Sequence, residues 1–113
     1  MAQVSGEMEE FVAVQILEYR VAPGQAVLRG AETFPERDPL EMCFCLTAVA
    51  VGCVQVGGDK YRTLADQCYI AAALLASDVF ANSLDGAPCR TLSELCETWG
   101  EDDPFFVNND KTP

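Results

Sequence analysis

Between Met42 and Gly58 the chain runs without a single charged side chain. A stretch of that kind has to be packed against something, and its borders say in what form. Asp38-Pro39-Leu40-Glu41 precedes it. Asp is a strong helix cap, Pro fits the first helical position, and Glu three residues after the cap completes a start pattern. Gly57-Gly58 follows, where a glycine commonly ends a helix. The spacing predicts a buried central helix over Met42 to Val56. Val49, Val51, Val54 and Val56, with Gly52 among them, leave a buried strand open for its second half. The run is too short, and too rich in Gly, Thr, Gln and Cys, to read as a membrane span, which needs about 20 apolar residues.

Similar punctuation divides the rest of the chain. Ser5 can cap a first helix from about Gly6 to Val21, with Glu7, Glu9 and Glu10 in its first turn. Met8, Phe11, Val12, Ile16 and Tyr19 recur at helical spacing. Ala22-Pro23-Gly24 then reads as a stop. The rival is a strand over Phe11 to Leu17, with Pro23-Gly24 as a hairpin turn. Gln25 to Arg37 reads as a connection, with a short extended piece at Ala26 to Arg29. Thr63-Leu64-Ala65-Asp66 repeats the capping pattern and opens an Ala- and Leu-rich helix to Leu84. Leu64, Cys68, Ala71, Leu75, Val79 and Asn82 mark one stripe of it; Ile70, Leu74 and Phe80 widen the apolar face. Asp85-Gly86-Ala87-Pro88 ends it. Thr91-Leu92-Ser93-Glu94 starts a short last helix whose apolar face is Leu92, Leu95, Cys96 and Trp99. Gly100 closes that helix, and a loose tail is expected from about residue 101. The fold class that follows is mainly α. It is a compact bundle of about four helices in one domain over residues 1–113, with a β-hairpin in the N-terminal third as the alternative.

Charge decides what such a domain can do. Eighteen Asp and Glu stand against seven Lys and Arg, with no histidine, for a net of −11. Half the residues are apolar, so this is not a disordered acidic tail. The negative surface disfavours nucleic acid and anionic membranes as direct partners. The basic residues Arg20, Arg29, Arg37, Lys60, Arg62, Arg90 and Lys111 are scattered along the sequence, whereas nucleic-acid binding wants them clustered. Lys60-Tyr61-Arg62 reads as a solvated lead-in to the following helix. Histidine, the commonest acid–base group, is missing. Glu41, Asp66 and Glu94 are accounted for as helix caps. Gly57-Gly58-Asp59-Lys60 lacks the rest of a phosphate-loop pattern. No catalytic residue, cofactor or metal site is expected, and the chain does not read as an enzyme. The acidic N-terminus lacks the pattern of a secretory signal, so a cytoplasmic location is expected. Cys43, Cys45, Cys53, Cys68, Cys89 and Cys96 then read as free thiols, mostly occupying small apolar positions. Cys89, beside Arg90, reads as an exposed thiol in a loop.

Binding to protein remains. One acidic group, Glu94, Glu97, Glu101, Asp102 and Asp103, stands beside Trp99, Phe105 and Phe106, which could anchor a partner inside an acidic rim. A secondary patch is Glu32, Glu36, Asp38 and Glu41; Glu7, Glu9 and Glu10 form a third. Spaced acids can imitate a phosphate backbone and speed association with a basic surface. The expected function is a small acidic inhibitor or adaptor acting on a basic, nucleic-acid-handling partner protein. The alternative is a structural or assembly protein. Two helices that are apolar nearly all round exceed what a chain this size can cover, which points to a homodimer. In size, charge and lack of catalytic motifs the chain resembles the small acidic proteins that phages use against host defence, anti-CRISPR proteins among them. That resemblance implies inhibition by mimicry of nucleic acid, and it carries over no residue.

Overall fold

The computed structural model describes residues 6–99, the side chain of Trp99 excepted. Helix α1, Gly6–Ala13, has Glu7 and Glu9 in its first turn, where the helix dipole favours acids. It widens into one π-helical turn, Val14–Glu18. The Tyr19 amide donates to the Val14 carbonyl at 3.1 Å and the Val21 amide to the Gln15 carbonyl at 2.9 Å. Arg20 then adopts φ 59°, a left-handed backbone uncommon for a residue with a long side chain. The helix ends here, just short of the expected Val21.

Pro23 does not form a turn. It occupies the first position of a helix, α2, Pro23–Thr33, after an extended Ala22. Proline is suited to that position because its φ is preset and its missing N–H would go unpaired there anyway. The expected connection over Gln25 to Arg37, with an extended piece at Ala26 to Arg29, is therefore largely a helix. No strand occurs among the described residues, and the β-hairpin alternative falls with it.

Asp38 does cap α3, Pro39–Val56; its Oδ1 accepts from the Leu40 amide at 2.8 Å. The valines of the second half are helical too, because Val49 and Cys53 are buried on the core side and packing outweighs a weak strand preference. Gly57 and Gly58 have φ of 82° and 90° and reverse the chain. Helix α4, Asp59–Leu84, follows at once, so it begins five residues before the expected Leu64. Thr63 lies inside it and is no cap. Helix α5 is Leu92–Trp99.

The α3–α4 hairpin is the frame, with α1 and α2 packed on one side of it and α5 on α2. Met8, Val12, Val27, Met42, Leu46, Leu75, Leu92 and Leu95 meet in the core, all essentially without exposure. Each such side chain stabilises the fold by about 1.5–3 kcal/mol on burial. Gly30 permits the close passage of α2 over α3: a Cβ there would stand 2.4 Å from Met42 Cε. The expected stripe of α4 is largely right, with Cys68, Ala71 and Leu75 buried and Leu64, Val79 and Asn82 half-buried. The molecule is a slab of 42 × 39 × 23 Å, and the thin axis leaves one side of the hairpin open.

Candidate functional site

The structure joins two acidic patches that are far apart in sequence. The Leu92 amide donates to the Arg37 carbonyl at 2.8 Å and the Ser93 amide to the Pro35 carbonyl at 2.9 Å. These bonds tie the start of α5 to the loop between α2 and α3. Glu32 and Glu97 consequently line one shallow depression over Leu28 and Cys96. Burial pushes the Cys96 thiol up to about 11, and the nearby Glu32 charge adds to the effect. Glu36 is exposed in the same loop.

Not every acid expected here is available to a partner. Glu41 is held by Arg37, whose Nε donates to Oε1 at 2.8 Å and whose Nη2 pairs with Oε2. That ion pair, not a cap, is what occupies Glu41. Asp38 is engaged in capping α3. Glu94 Oε1 accepts from the Arg90 and Thr91 amides at 2.9 and 3.1 Å, and the Glu94 amide donates to Thr91 Oγ1 at 3.2 Å. This is the reciprocal capping box the sequence pattern predicts. Glu101, Asp102, Asp103, Phe105 and Phe106 lie outside the described residues, as does the Trp99 side chain.

The open side of the hairpin is apolar. Buried positions of α3 are Met42, Cys45, Leu46, Val49, Ala50 and Cys53. Leu40, Phe44, Thr47, Val51 and Val54 fall on the opposite face at helical spacing, and all are exposed, Phe44 by 48%. On α4, Tyr69, Ala73, Ala76 and Phe80 recur at helical spacing as an exposed row flanking the buried stripe, with Phe80 exposed by 65%. The Cys43 thiol donates to the Ala72 carbonyl at 3.6 Å, which sets the level at which the helices pass. No charge interrupts α3 after Glu41, nor α4 between Asp66 and Asp78. Both helices are long and apolar enough to cross a membrane by length and composition, a test that core helices also pass.

A third feature escaped sequence reasoning. Arg20, Arg29 and Lys60, scattered in the chain, line a single cleft of about 490 Å³ between the π-helical turn, α2 and the start of α4. No acidic residue lines it. Arg29 Nη1 donates to Gln15 Oε1 at 2.8 Å, and Gln15 is buried in the π-helical turn. A left-handed Arg20 cannot be read from sequence, and bringing residue 60 beside residue 20 requires the whole tertiary fold.

All six cysteines are free. Burial pushes Cys45 and Cys68 up to about 12 and Cys43 up to about 11. Cys89 is half-buried rather than exposed. Its thiol is raised, by desolvation first and then by Glu94 and Glu97, so Arg90 does not activate it. No group of three or more potential metal ligands occurs among the described residues. Compared with protein-family models, with curated proteins and with solved structures, the chain matches none.

Proposed function

We propose that the chain is an interaction protein that pairs with a second copy of itself through the open side of the α3–α4 hairpin. The observation that carries this reading is the uncharged stripe of Leu40, Phe44, Val51 and Val54 on α3 beside Tyr69 and Phe80 on α4. A monomer rarely exposes an apolar patch beyond a few hundred Å². Burying large apolar side chains stabilises a complex by about 1.5–3 kcal/mol each. Six of them on each copy are enough to offset an association cost of about 4–15 kcal/mol. Two hairpins related by a twofold axis would make a four-helix layer at the interface. The net charge of −11 opposes the approach of two copies. At physiological salt the screening length is about 8 Å, so charges on the outer faces are weakly felt at a buried seam.

Sedimentation and light scattering at low and high salt test the proposal. The expected result is a dimer that persists at high salt and becomes monomeric, with helical content retained, when Phe44 and Phe80 are both changed to Asp. A wild-type monomer at tens of micromolar, or flotation with neutral lipid vesicles in its place, would overturn it.

A second reading, an acidic adaptor or inhibitor of a basic partner, rests on a separate observation. The bonds from Leu92 and Ser93 to the Arg37 and Pro35 carbonyls bring Glu32, Glu36 and Glu97 to one end of the slab. Glu101, Asp102 and Asp103 continue that charge along the sequence. This reading predicts a basic, nucleic-acid-handling partner whose complex dissolves in high salt. Changing Glu32, Glu36 and Glu97 to Gln should abolish the complex and leave the dimer intact. A complex indifferent both to salt and to those three changes would sink it.

A further inference from the structure

We infer that the cleft between the π-helical turn, α2 and the start of α4 binds a small organic phosphate. The argument starts from charge. In a chain with a net of −11, three of the seven basic side chains, Arg20, Arg29 and Lys60, converge on one concavity that no carboxylate lines. None of the three forms an ion pair among the described residues; the ion pair found there joins Arg37 to Glu41. The nearest acids in sequence, Glu18 and Asp59, are exposed and lie outside the cleft lining. Arg29 is bonded to the neutral Gln15 amide and the Lys60 ammonium lies over the Tyr61 ring, 5.7 Å from its centroid, so neither charge is neutralised. Cations without an anionic partner in so acidic a protein are a local exception to the global field. With screening over about 8 Å, the local field governs what enters.

The cleft is also built. Arg29 is oriented by its bond to Gln15, and Gln15 is turned inward by a π-helical turn, an element that recurs at functional sites. Arg20 is held at φ 59°, a strained conformation for a residue with a side chain, which persists where the surroundings enforce it. The first turn of α2 enters from another side, with no side chain capping it and no acid within it. Two guanidinium forks and one ammonium suit the several oxygens of a phosphate better than the two of a carboxylate. Tyr19, Ile16 and Leu64 supply an apolar wall beside the cations, which suits an aromatic or aliphatic body attached to the phosphate. The volume of about 490 Å³ lies within the ordinary range of small-molecule sites.

Calorimetric titration of the full chain at low ionic strength with phenyl phosphate, benzoate and phenol tests the assignment. Phenyl phosphate is expected to bind more tightly than benzoate, and phenol not at all. Arg29→Gln and Lys60→Gln should each weaken phenyl phosphate by about tenfold, the scale of one charge-assisted hydrogen bond. Arg20→Gly should weaken it similarly while relieving the backbone, so a folding defect cannot imitate the result. Arg90→Gln removes the same charge away from the cleft and should leave binding unchanged. Absence of binding, equal binding of benzoate, or indifference to the Arg29 and Lys60 changes would overturn the inference.

Discussion

Arg29 Nη1 donates to Gln15 Oε1 at 2.8 Å, joining the π-helical turn to α2 across fourteen residues of sequence. Gln15 is only 7% exposed, so the bond fixes a long cationic side chain from a protected position. Changing Gln15 to Ala should lower stability by about 1–2 kcal/mol, the range for a hydrogen bond to a charged group whose other partner stays solvated. Chemical denaturation would read this directly. The same change should weaken anion binding although it removes no charge, which separates positioning from electrostatics.

The capping box of α5 makes Glu94 a structural residue. Thr91→Ala removes the acceptor for the Glu94 amide and should cost about 0.5–2 kcal/mol. Glu94→Ala should cost a similar amount. Exposed Glu97 takes no part in that capping box, and Glu97→Gln should leave the denaturation midpoint in place. Equal loss of stability from the Glu94 and Glu97 changes would contradict this division.

The buried thiols set an alkaline limit. In the fold Cys45 and Cys68 are raised to about 12 and Cys43 and Cys96 to about 11, from an ordinary 9.0. A raised pKa means that the folded chain holds its thiol protons while the unfolded chain loses them. Their contribution is therefore complete below pH 9 and is lost progressively as pH rises from 9 toward 12. Urea midpoints should hold between pH 7 and 8 and fall above pH 9. Replacing Cys68 by Ala should flatten that fall. Native thiol labelling near pH 8 should be slow at Cys45 and Cys68 and fastest at half-buried Cys89.

Gly30 and Met42 should behave as a pair. Alanine at Gly30 gains about 1 kcal/mol of helix propensity, but its Cβ would collide with Met42 Cε, the flexible end of a buried side chain that must swing aside. Gly30→Ala alone should destabilise by about 0–2 kcal/mol net, the usual overpacking cost of about 1–3 kcal/mol less the propensity gain. Shortening the neighbour with Met42→Leu should recover part of that loss. A double-mutant cycle should return a coupling of about 0.5 kcal/mol or more; strict additivity would show that the helices slide apart instead.

The parts of this fold that were legible in the sequence are those written in local chemistry. Asp38-Pro39 starts α3, Gly57 ends it and Gly86 follows the end of α4, because a cap or a left-handed residue is required at each site. Thr91 and Glu94 were legible for the same reason. Pro23 misled because the residue that stops one helix also suits the first turn of the next. Thr63 misled because α4 starts at Asp59 behind Gly58 as its cap, where two successive glycines turn the chain and no side chain marks the start. The charge excess drew attention to acids, of which Glu41, Asp38 and Glu94 are occupied within the fold. The cationic cleft had no local signature at all, since Lys60 reaches Arg20 only through the packing of α2 and the π-helical turn against α4.

The glycine pair at 57 and 58 has a kinetic corollary. It makes the largest interface of the molecule, α3 against α4, one between neighbours in sequence. Little chain entropy is lost in closing so short a connection, and helical domains dominated by near-neighbour contacts fold in roughly microseconds to milliseconds. The hairpin is then the natural nucleus, complete once residue 84 has left the ribosome and before α5 exists. The chain would present its apolar seam at birth, and a partner copy could meet it during synthesis.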